Sequence, residues 1–322
     1  MTLELACDSA LAALVEDTTV YANKRLTGDL WKLVLRSPRI APLVQPGQFV
    51  HVGFDDTSRH ILRRPLSVHD VFCVEGDDAL HLSLLYQVVG KGTAFLTNCS
   101  RGDRLNLLGP LGNGWHLPKD ARCILLVGGG VGWAPLHLHA NTAQSQDAEV
   151  HALIGARTAS YYTTLVLDKG DGPFCHDDKP PVIASGDSLD KPPVIASEAP
   201  EGCEAWQSTA AVRDQEASHS ATVFFHPATD DGSLGHHGFN TDLLESLLAT
   251  YRFDYIATCG PEPMQRIVAE KARQHGIACE VSLERRMACG LGACLSCVVE
   301  TTDGKKRACI DGPVFDAREV CW

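Results

Sequence analysis

The 322-residue chain is short of basic residues and has no long apolar run. Its 28 Lys and Arg residues face 40 Asp and Glu residues, which gives a formal charge of −12. A protein that binds the phosphate backbone of a nucleic acid needs a surplus of basic residues along one face, so nucleic-acid binding is excluded. The most prominent apolar run, from Cys123 to Val127, is far shorter than the roughly 18 residues of a membrane span. We therefore expect neither a nucleic-acid partner nor a membrane span.

The N-terminus lacks the basic stretch that opens a secretory signal, because no Lys or Arg precedes Leu5. The thirteen cysteines do not indicate a secreted disulfide scaffold either. Such scaffolds are short, whereas this chain is long and crowds four cysteines into one C-terminal segment. In a reducing compartment, that crowding favours ligation of a metal or a cluster. The sequence therefore predicts a cytoplasmic protein.

Hydrophobic patterning divides the chain into regions. From about Thr18 to Trp115, short apolar runs alternate with turn residues, which is typical of a small β-barrel or sandwich. From Arg122 onward, apolar strands alternate with helices, which predicts a parallel α/β sheet. In the last such helix, Pro263 lies in the first turn, Gly276 ends the helix, and one face carries Met264, Ile267, Val268 and Ala272. The predicted domains are an N-terminal extension (1–17), a barrel (18–118), an α/β domain (119–279) and a C-terminal cluster domain (280–322).

Residues 168–220 do not fit this alternation. They repeat a seven-residue run, at 179–185 and again at 191–197, and hold eleven acidic residues against four basic ones. A repeat of two short units cannot build a solenoid. We expect an exposed, partly disordered insertion in the α/β domain. This insertion is either inert or a family-specific contact.

Four cysteines near the C-terminus carry the strongest chemical signal. Cys289, Cys294, Cys297 and Cys309 have the spacing C-x4-C-x2-C-x11-C, the order found in plant-type [2Fe–2S] loops. Small residues between them let the backbone approach a cluster closely. A structural zinc site is the alternative, but zinc modules normally use two separated ligand pairs. The other nine cysteines are interpreted as small buried hydrophobes, Cys259 being the possible exception.

Three further motifs point to nucleotides. Arg64 and Ser67 follow a strand-like run and could reach a pyrophosphate, although an ordinary surface Arg pair would look the same. A glycine turn then opens a helix near residue 91. Two strand–turn–helix junctions follow, and the carboxyl ends of parallel strands are where such sheets bind ligands. Their turn residues are Gly128, Gly129, Gly130 and Gly132 in the first and Cys259, Gly260 and Pro261 in the second.

Taken together, these motifs resemble the ferredoxin–NAD(P)H reductase superfamily. More narrowly, the runs at 108–114, 286–297 and 311–320 are similar to the electron transfer subunits of NAD-linked dihydroorotate dehydrogenase B. The resemblance covers about residues 18–167 and 221–322. It implies a β-barrel FAD domain, an α/β parallel-sheet NAD domain and a small C-terminal [2Fe–2S] cluster domain.

The resemblance also assigns residues and a partner. The FAD would be lined by Arg64, Pro65, Leu66, Ser67, Leu85, Tyr86, Gln87, Gly92 and Thr93. The four clustered cysteines would be the iron ligands, and Cys259 would pack near the nicotinamide ring of NAD(H). The partner would be an FMN-containing catalytic subunit that oxidises dihydroorotate, in a heterotetramer. No residue of this chain is expected to act as a catalytic acid or base.

The chain departs from the superfamily pattern at two side chains. Leu66 stands where Tyr is common, so we expect Tyr86 to stack on the flavin instead. Trp133 stands where smaller residues are usual, which changes the expected shape of the nicotinamide pocket. His226, His236 and His237 are expected in a loop, solvated rather than ligating.

The implied function is electron transfer from the partner's FMN through the cluster and FAD to NAD+, in pyrimidine biosynthesis. Two alternatives stay open. One is an NAD(P)H reductase subunit of another ferredoxin- or hydrogenase-type complex. The other is a non-enzymatic scaffold with zinc at the cysteines and empty nucleotide folds.

Overall fold

A closed barrel of six antiparallel strands forms the first part of the molecule. The computed structural model describes residues 13–54, 61–167, 194–196 and 222–322. The strands are β1 (Leu14–Thr27), β2 (Leu30–Arg36), β3 (Phe49–Gly53), β4 (Arg64–Val74), β5 (Asp77–Gln87) and β6 (Arg104–Leu111). They close in the order β1-β2-β5-β4-β3-β6, which leaves no free sheet edge. The barrel therefore begins inside the predicted N-terminal extension.

Strand β5 contributes side chains both to the barrel core and to the core of the α/β domain. Alternate side chains of a strand face opposite sides, and Leu82, Leu84 and Tyr86 point into the barrel core. Leu85, on the other side, packs into the core of the α/β domain. Because both faces of β5 are buried, its sequence is a nearly continuous apolar run. A short helix, α1 (Lys91–Leu96), follows it.

The α/β domain is built on a mainly parallel sheet, as the sequence predicts. Its elements are β7 (Cys123–Gly129), α2 (Ala134–Gln144), β8 (Glu149–Ala156), α3 (Ala159–Leu167), β9 (Val194–Ala196), β10 (Thr222–Thr229), β11 (His236–His237), α4 (Asn240–Thr250), β12 (Tyr255–Cys259), α5 (Glu262–His275) and β13 (Ala278–Ser282). The strand order is β11-β10-β8-β7-β12-β13, with β9 paired antiparallel to β10, and one strand from the C-terminal segment, β16 (Val314–Asp316), adds next to β13. Among the described residues, no helix is long and apolar enough to cross a membrane.

Helix α5 begins and ends at the predicted residues. Pro263 lies in its first turn, and Gly276 closes it in the left-handed conformation with φ of 68°. Met264, Val268 and Ala272 are buried. The assignment of Ile267 to the same face was wrong, because its side chain is 44% exposed. Ile267 lies next to the buried face of the helix, which is formed by Met264, Val268 and Ala272, and not on that face.

The C-terminal segment is joined to the α/β sheet rather than separate from it. It contains the hairpin β14 (Val298–Thr301) and β15 (Gly304–Arg307), followed by β16 (Val314–Asp316). Strand β16 pairs antiparallel with β13 and becomes the sheet edge. Strand β13 itself runs across the boundary predicted at residues 279 and 280. The predicted insertion, 168–220, lies outside the described residues except for β9.

Candidate functional site

The structure brings the four C-terminal cysteines together. Cys289, Cys294 and Cys297 lie on the loop between β13 and β14, and Cys309 follows β15. The Cys289 thiol interacts with Cys294, and the Cys309 thiol interacts with both Cys297 and Cys289. The backbone N–H of Gly292 donates to Cys309 Sγ at 3.2 Å, so amides of the loop reach thiols on both sides. Four convergent thiols with backbone donors fit an iron–sulfur cluster.

The thiols at this site differ in acidity. Amide hydrogen bonds, led by the N–H of Leu291 at 3.4 Å from Cys289 Sγ, lower the pKa of Cys289 to about 6. Burial and the neighbouring Cys297 raise the pKa of Cys309 to about 12. The thiolate is the form that binds metal, so Cys289 is more ready to ligate than Cys309.

The loop requires glycine at two positions. Gly290 and Gly292 have φ of 72° and 77°, which favours residues without a side chain. A Cβ at position 290 would lie 2.9 Å from Cε1 of His51, and one at 292 would lie 2.5 Å from Cδ1 of Ile310. The loop therefore packs directly against both the barrel and the segment that carries Cys309.

His51 is a candidate residue that sequence reasoning missed. It lies on β3, opposite Pro65 of β4, and its ring also touches the cluster loop at Gly290. The ring is fully buried, and neither nitrogen has a hydrogen-bond partner among the described residues. Burial lowers the pKa of His51 to about 4, so the ring is neutral. Unpaired buried nitrogens are rare, and here they lie between β4 and the cluster loop.

The two neighbouring arginines have different roles. The Arg63 guanidinium donates to the carbonyl oxygen of Asn106 at 3.0 Å and also to the side-chain oxygen of that residue, tying β4 to β6. The Arg64 guanidinium lies 5.7 Å from the centre of the Phe54 ring, and a Cβ at Gly92 would overlap it. Within the described ranges, no carboxylate pairs with Arg64. This cradle of Arg64 over Gly92 fits a phosphate-bearing cofactor such as FAD.

The other predicted flavin residues are partly committed to the protein itself. The Gln87 side chain donates to Asp29 at 2.6 Å, and Thr93 Oγ1 accepts the N–H of Val89 at 3.0 Å. The Tyr86 ring is 1% exposed in the barrel core, and its hydroxyl donates to Asn23 at 3.2 Å. The expectation that Tyr86 stacks on a flavin was wrong, because period-two alternation turns its ring inward. The remaining residues of this list, Pro65, Leu66, Ser67 and Leu85, lie on β4 and β5.

The two strand–turn–helix junctions meet at one edge of the sheet. Strands β7 and β12 are parallel neighbours, and Gly128 is in register with Cys259. A Cβ at Gly132 would overlap the Cys259 carbonyl, and one at Gly129 would lie 2.7 Å from Cδ of Pro261. Gly130, in the same turn, has φ of 55°. The turns therefore form one surface at the carboxyl ends of the strands, where parallel sheets bind nucleotides.

Buried groups shape this edge. Cys259 is fully buried, and burial raises the pKa of its thiol, so it is a neutral packing group. Trp133 is buried in the core behind the first turn. Sequence reasoning missed Asn240, whose side chain donates to the Gly128 carbonyl at 3.0 Å. It also missed Glu284, whose carboxyl group lies near the Cys259 thiol.

A junction between distant segments links the barrel to the cluster region. The Asn113 backbone N–H donates to the Gly312 carbonyl at 2.5 Å, and its side chain donates to the Asp311 carbonyl at 2.9 Å. On the barrel side, the Gln48 side chain donates to the Gly112 carbonyl at 2.8 Å. Two of the family-like runs, 108–114 and 311–320, therefore contact each other directly.

Two further expectations need correction. His226 is not in a solvated loop: it lies in β10, is buried, and is 2.9 Å from a ring nitrogen of His151. His236 and His237 form β11, a short edge strand. Among the other nine cysteines, Cys259 and Cys279 are buried as expected, but Cys321 is exposed. Cys73, Cys99 and Cys123 are half-buried, and Cys7, Cys175 and Cys203 lie outside the described residues.

Comparisons with known proteins find a family model and curated relatives that match this chain. The family model described as the iron–sulfur cluster binding domain of dihydroorotate dehydrogenase B matches residues 284–321. A relative from Desulforamulus reducens, named dihydroorotate dehydrogenase B (NAD(+)), electron transfer subunit, is 32% identical over 96% of this chain and 98% of its own length. A relative of the same name from Geobacillus kaustophilus is 33% identical over 95% and 98%.

Solved structures show the same architecture. An NADH-dependent reduced ferredoxin-NADP oxidoreductase, studied for flavin-based electron bifurcation, has a TM-score of 0.69 and 26% identity, covering 95% of this chain and 90% of its own. A ferredoxin NADP+ reductase from Neisseria gonorrhoeae with bound FAD and NADP has a TM-score of 0.52 and 16% identity, covering 81% and 92%. At that identity, the second likeness concerns the fold alone.

Proposed function

This chain belongs to the family of the electron transfer subunits of dihydroorotate dehydrogenase B (NAD(+)), and from that premise we propose how its sites divide the work. The chain is a flavin and iron–sulfur oxidoreductase subunit that passes electrons between a catalytic partner and NAD+. The observation that carries this proposal is the loop of four convergent cysteines packed against the barrel at His51.

The residues at the three sites suit three different tasks. When bound, FAD exchanges both single electrons and hydride, which lets a one-electron cluster serve a two-electron nicotinamide. Arg64 supplies the cation for the pyrophosphate of FAD, since its guanidinium has no carboxylate partner among the described residues. The turns at Gly128 and Cys259 form the surface for NAD(H). None of these side chains needs to act on dihydroorotate.

The surface around the cluster loop suits a protein partner. Cys294 is exposed, and the large apolar side chains beside it, Leu291, Leu295 and Ile310, are exposed as well. Exposed apolar groups that lie together commonly mark a protein–protein interface. We propose that the FMN-containing catalytic subunit docks here, in a heterotetramer. The proposal places the complex in the cytoplasm, where thiols stay reduced for cluster binding.

Separating the chain from its partner tests this division of labour. The purified chain, loaded with FAD and cluster, should reduce an artificial acceptor with NADH but should not form orotate from dihydroorotate. Adding the catalytic subunit should restore NAD+-linked orotate formation. Orotate made by the chain alone would contradict the proposal. A colourless, iron-free protein after anaerobic preparation would support the zinc scaffold instead.

A second function is favoured by one observation. The likeness to the NADH-dependent reduced ferredoxin-NADP oxidoreductase extends over nearly the whole chain. The chain would then serve as the NAD(P)H reductase subunit of a ferredoxin- or hydrogenase-type complex. Supplying reduced ferredoxin in place of dihydroorotate and catalytic subunit distinguishes the two. NAD+ reduction with ferredoxin and not with dihydroorotate would establish the second function.

A further inference from the structure

Three potential metal ligands meet at the end of the sheet opposite the glycine turns. Cys123 starts β7, Glu149 starts β8, and the two are in register. His151 lies two residues after Glu149, so both side chains are on one face of β8. One ligand atom from each of the three lies within 4.8 Å of the others. The glycine turns lie about 20 Å away along β7.

We propose that Cys123, Glu149 and His151 bind a zinc ion that is separate from the iron–sulfur cluster. The Sγ of Cys123 is 3.6 Å from Oε1 of Glu149, and the same oxygen is 2.8 Å from Nε2 of His151. Ligand atoms of a tetrahedral zinc ion, with bonds of about 2.0–2.3 Å, are about 3.3–3.8 Å apart. Small side-chain movements therefore suffice to admit the ion.

The kind of ligand selects the kind of metal. A thiolate and an imidazole favour zinc and similar transition ions over magnesium or calcium, which prefer oxygen ligands. The Glu149 side chain is 47% exposed, which leaves one coordination position for water. On binding, the Cys123 thiol forms the sulfur–zinc bond and releases its proton to solvent.

His151 is held in place as a ligand would be. Its ring is fully buried, with its centre 4.2 Å from that of Tyr251 and 5.0 Å from that of Phe224. Its Nδ1 is 2.9 Å from Nε2 of His226. Zinc-binding histidines usually make a second hydrogen bond through the nitrogen that does not bind metal, which fixes ring orientation and tautomer. His226 occupies that position here.

The local charge also favours a cation. The carboxyl groups of Glu149 and Asp254 both lie near the Cys123 thiol. Asp254 is otherwise occupied, since it accepts the backbone N–H groups of Arg122 at 2.8 Å and Cys123 at 3.0 Å. A bound cation would offset this negative charge.

Zinc K-edge spectroscopy tests the proposal, because iron in the cluster does not contribute at that edge. The FAD- and cluster-loaded chain is freed of loosely bound metal, given one equivalent of zinc and desalted, and zinc and iron are counted. We expect one zinc per chain with one sulfur neighbour and the rest nitrogen or oxygen. Cys123→Ser and Glu149→Gln should each lower zinc affinity at least tenfold, at unchanged iron content.

Cys321→Ser is the matched control, because Cys321 is an exposed cysteine elsewhere. It should retain zinc fully, and all variants should still reduce an artificial acceptor with NADH. Glu149→Gln changes a half-exposed side chain, so a folding defect will not confuse the result. The proposal is overturned if no zinc is retained, if zinc has three or four sulfur neighbours, or if both variants bind it as the wild type does.

Discussion

At the residue scale, Arg63 and Arg64 show how adjacent identical side chains take different roles. The Arg63 guanidinium, just before β4, ties the start of that strand to β6, whereas the Arg64 guanidinium, on the first residue of β4, lies over Gly92. The partners that each guanidinium already has decide which arginine is available to a ligand.

Arg64→Gln should weaken FAD binding roughly ten- to a hundredfold, because a hydrogen bond to a charged group is worth about 1.5–3 kcal/mol. The measurement is the dissociation constant of FAD and the flavin retained after gel filtration. Arg104→Gln removes the same charge from an exposed position on β6 and should leave binding unchanged. Equal flavin retention in the two variants would show that Arg64 does not hold the cofactor.

At the element scale, the end of α5 isolates a single backbone effect. Gly276 has φ of 68°, and a Cβ there would meet no atom within 4 Å. A side chain at this position therefore adds conformational strain without a steric clash.

Gly276→Ala should lower the free energy of unfolding by about 1 kcal/mol, because the left-handed conformation disfavours residues with a Cβ. Gly276→Asn should lower it by less, since Asn tolerates this conformation. Urea unfolding of both variants provides the comparison. If Ala and Asn cost the same or nothing, the helix does not end in the conformation described.

At the scale of the whole molecule, buried histidines make stability depend on pH. Burial lowers the pKa of His51 and His226 to about 4 and that of His139 to about 3. In the unfolded chain these rings titrate near 6.5. Below that pH the unfolded chain binds more protons than the folded chain, so stability is lost as the pH falls through about 6.5 toward 4.

His139 is suited to testing this linkage. Its buried ring stacks on Trp115 with centres 5.6 Å apart, and its Nε2 has no hydrogen-bond partner among the described residues. His139→Phe keeps an aromatic ring. Lowering the pH from about 7.5 to about 5.5 should reduce the free energy of unfolding of this variant by about 1 kcal/mol less than that of the wild type. Urea unfolding at both pH values measures this. The exposed His237→Gln should keep the wild-type slope, and an unchanged slope in His139→Phe would contradict the linkage.

What the sequence determined by itself is local. The spacing of Cys289, Cys294 and Cys297 already indicated a cluster, and the glycine turns after β7 and β12 already predicted a nucleotide surface. These signals can be recognised in the sequence, because ligand spacing and strand–turn–helix order depend on residues that are close together along the chain.

Only the tertiary structure decided which distant residues meet. It placed His51 against Gly290, joined Asn113 to Gly312, turned Tyr86 inward and brought Cys123 beside Glu149 and His151. The reason is that strand register and sheet order set these contacts, and a shift of one residue moves every side chain to the opposite face. The spacing of residues along the chain does not show which register and strand order the sheet adopts.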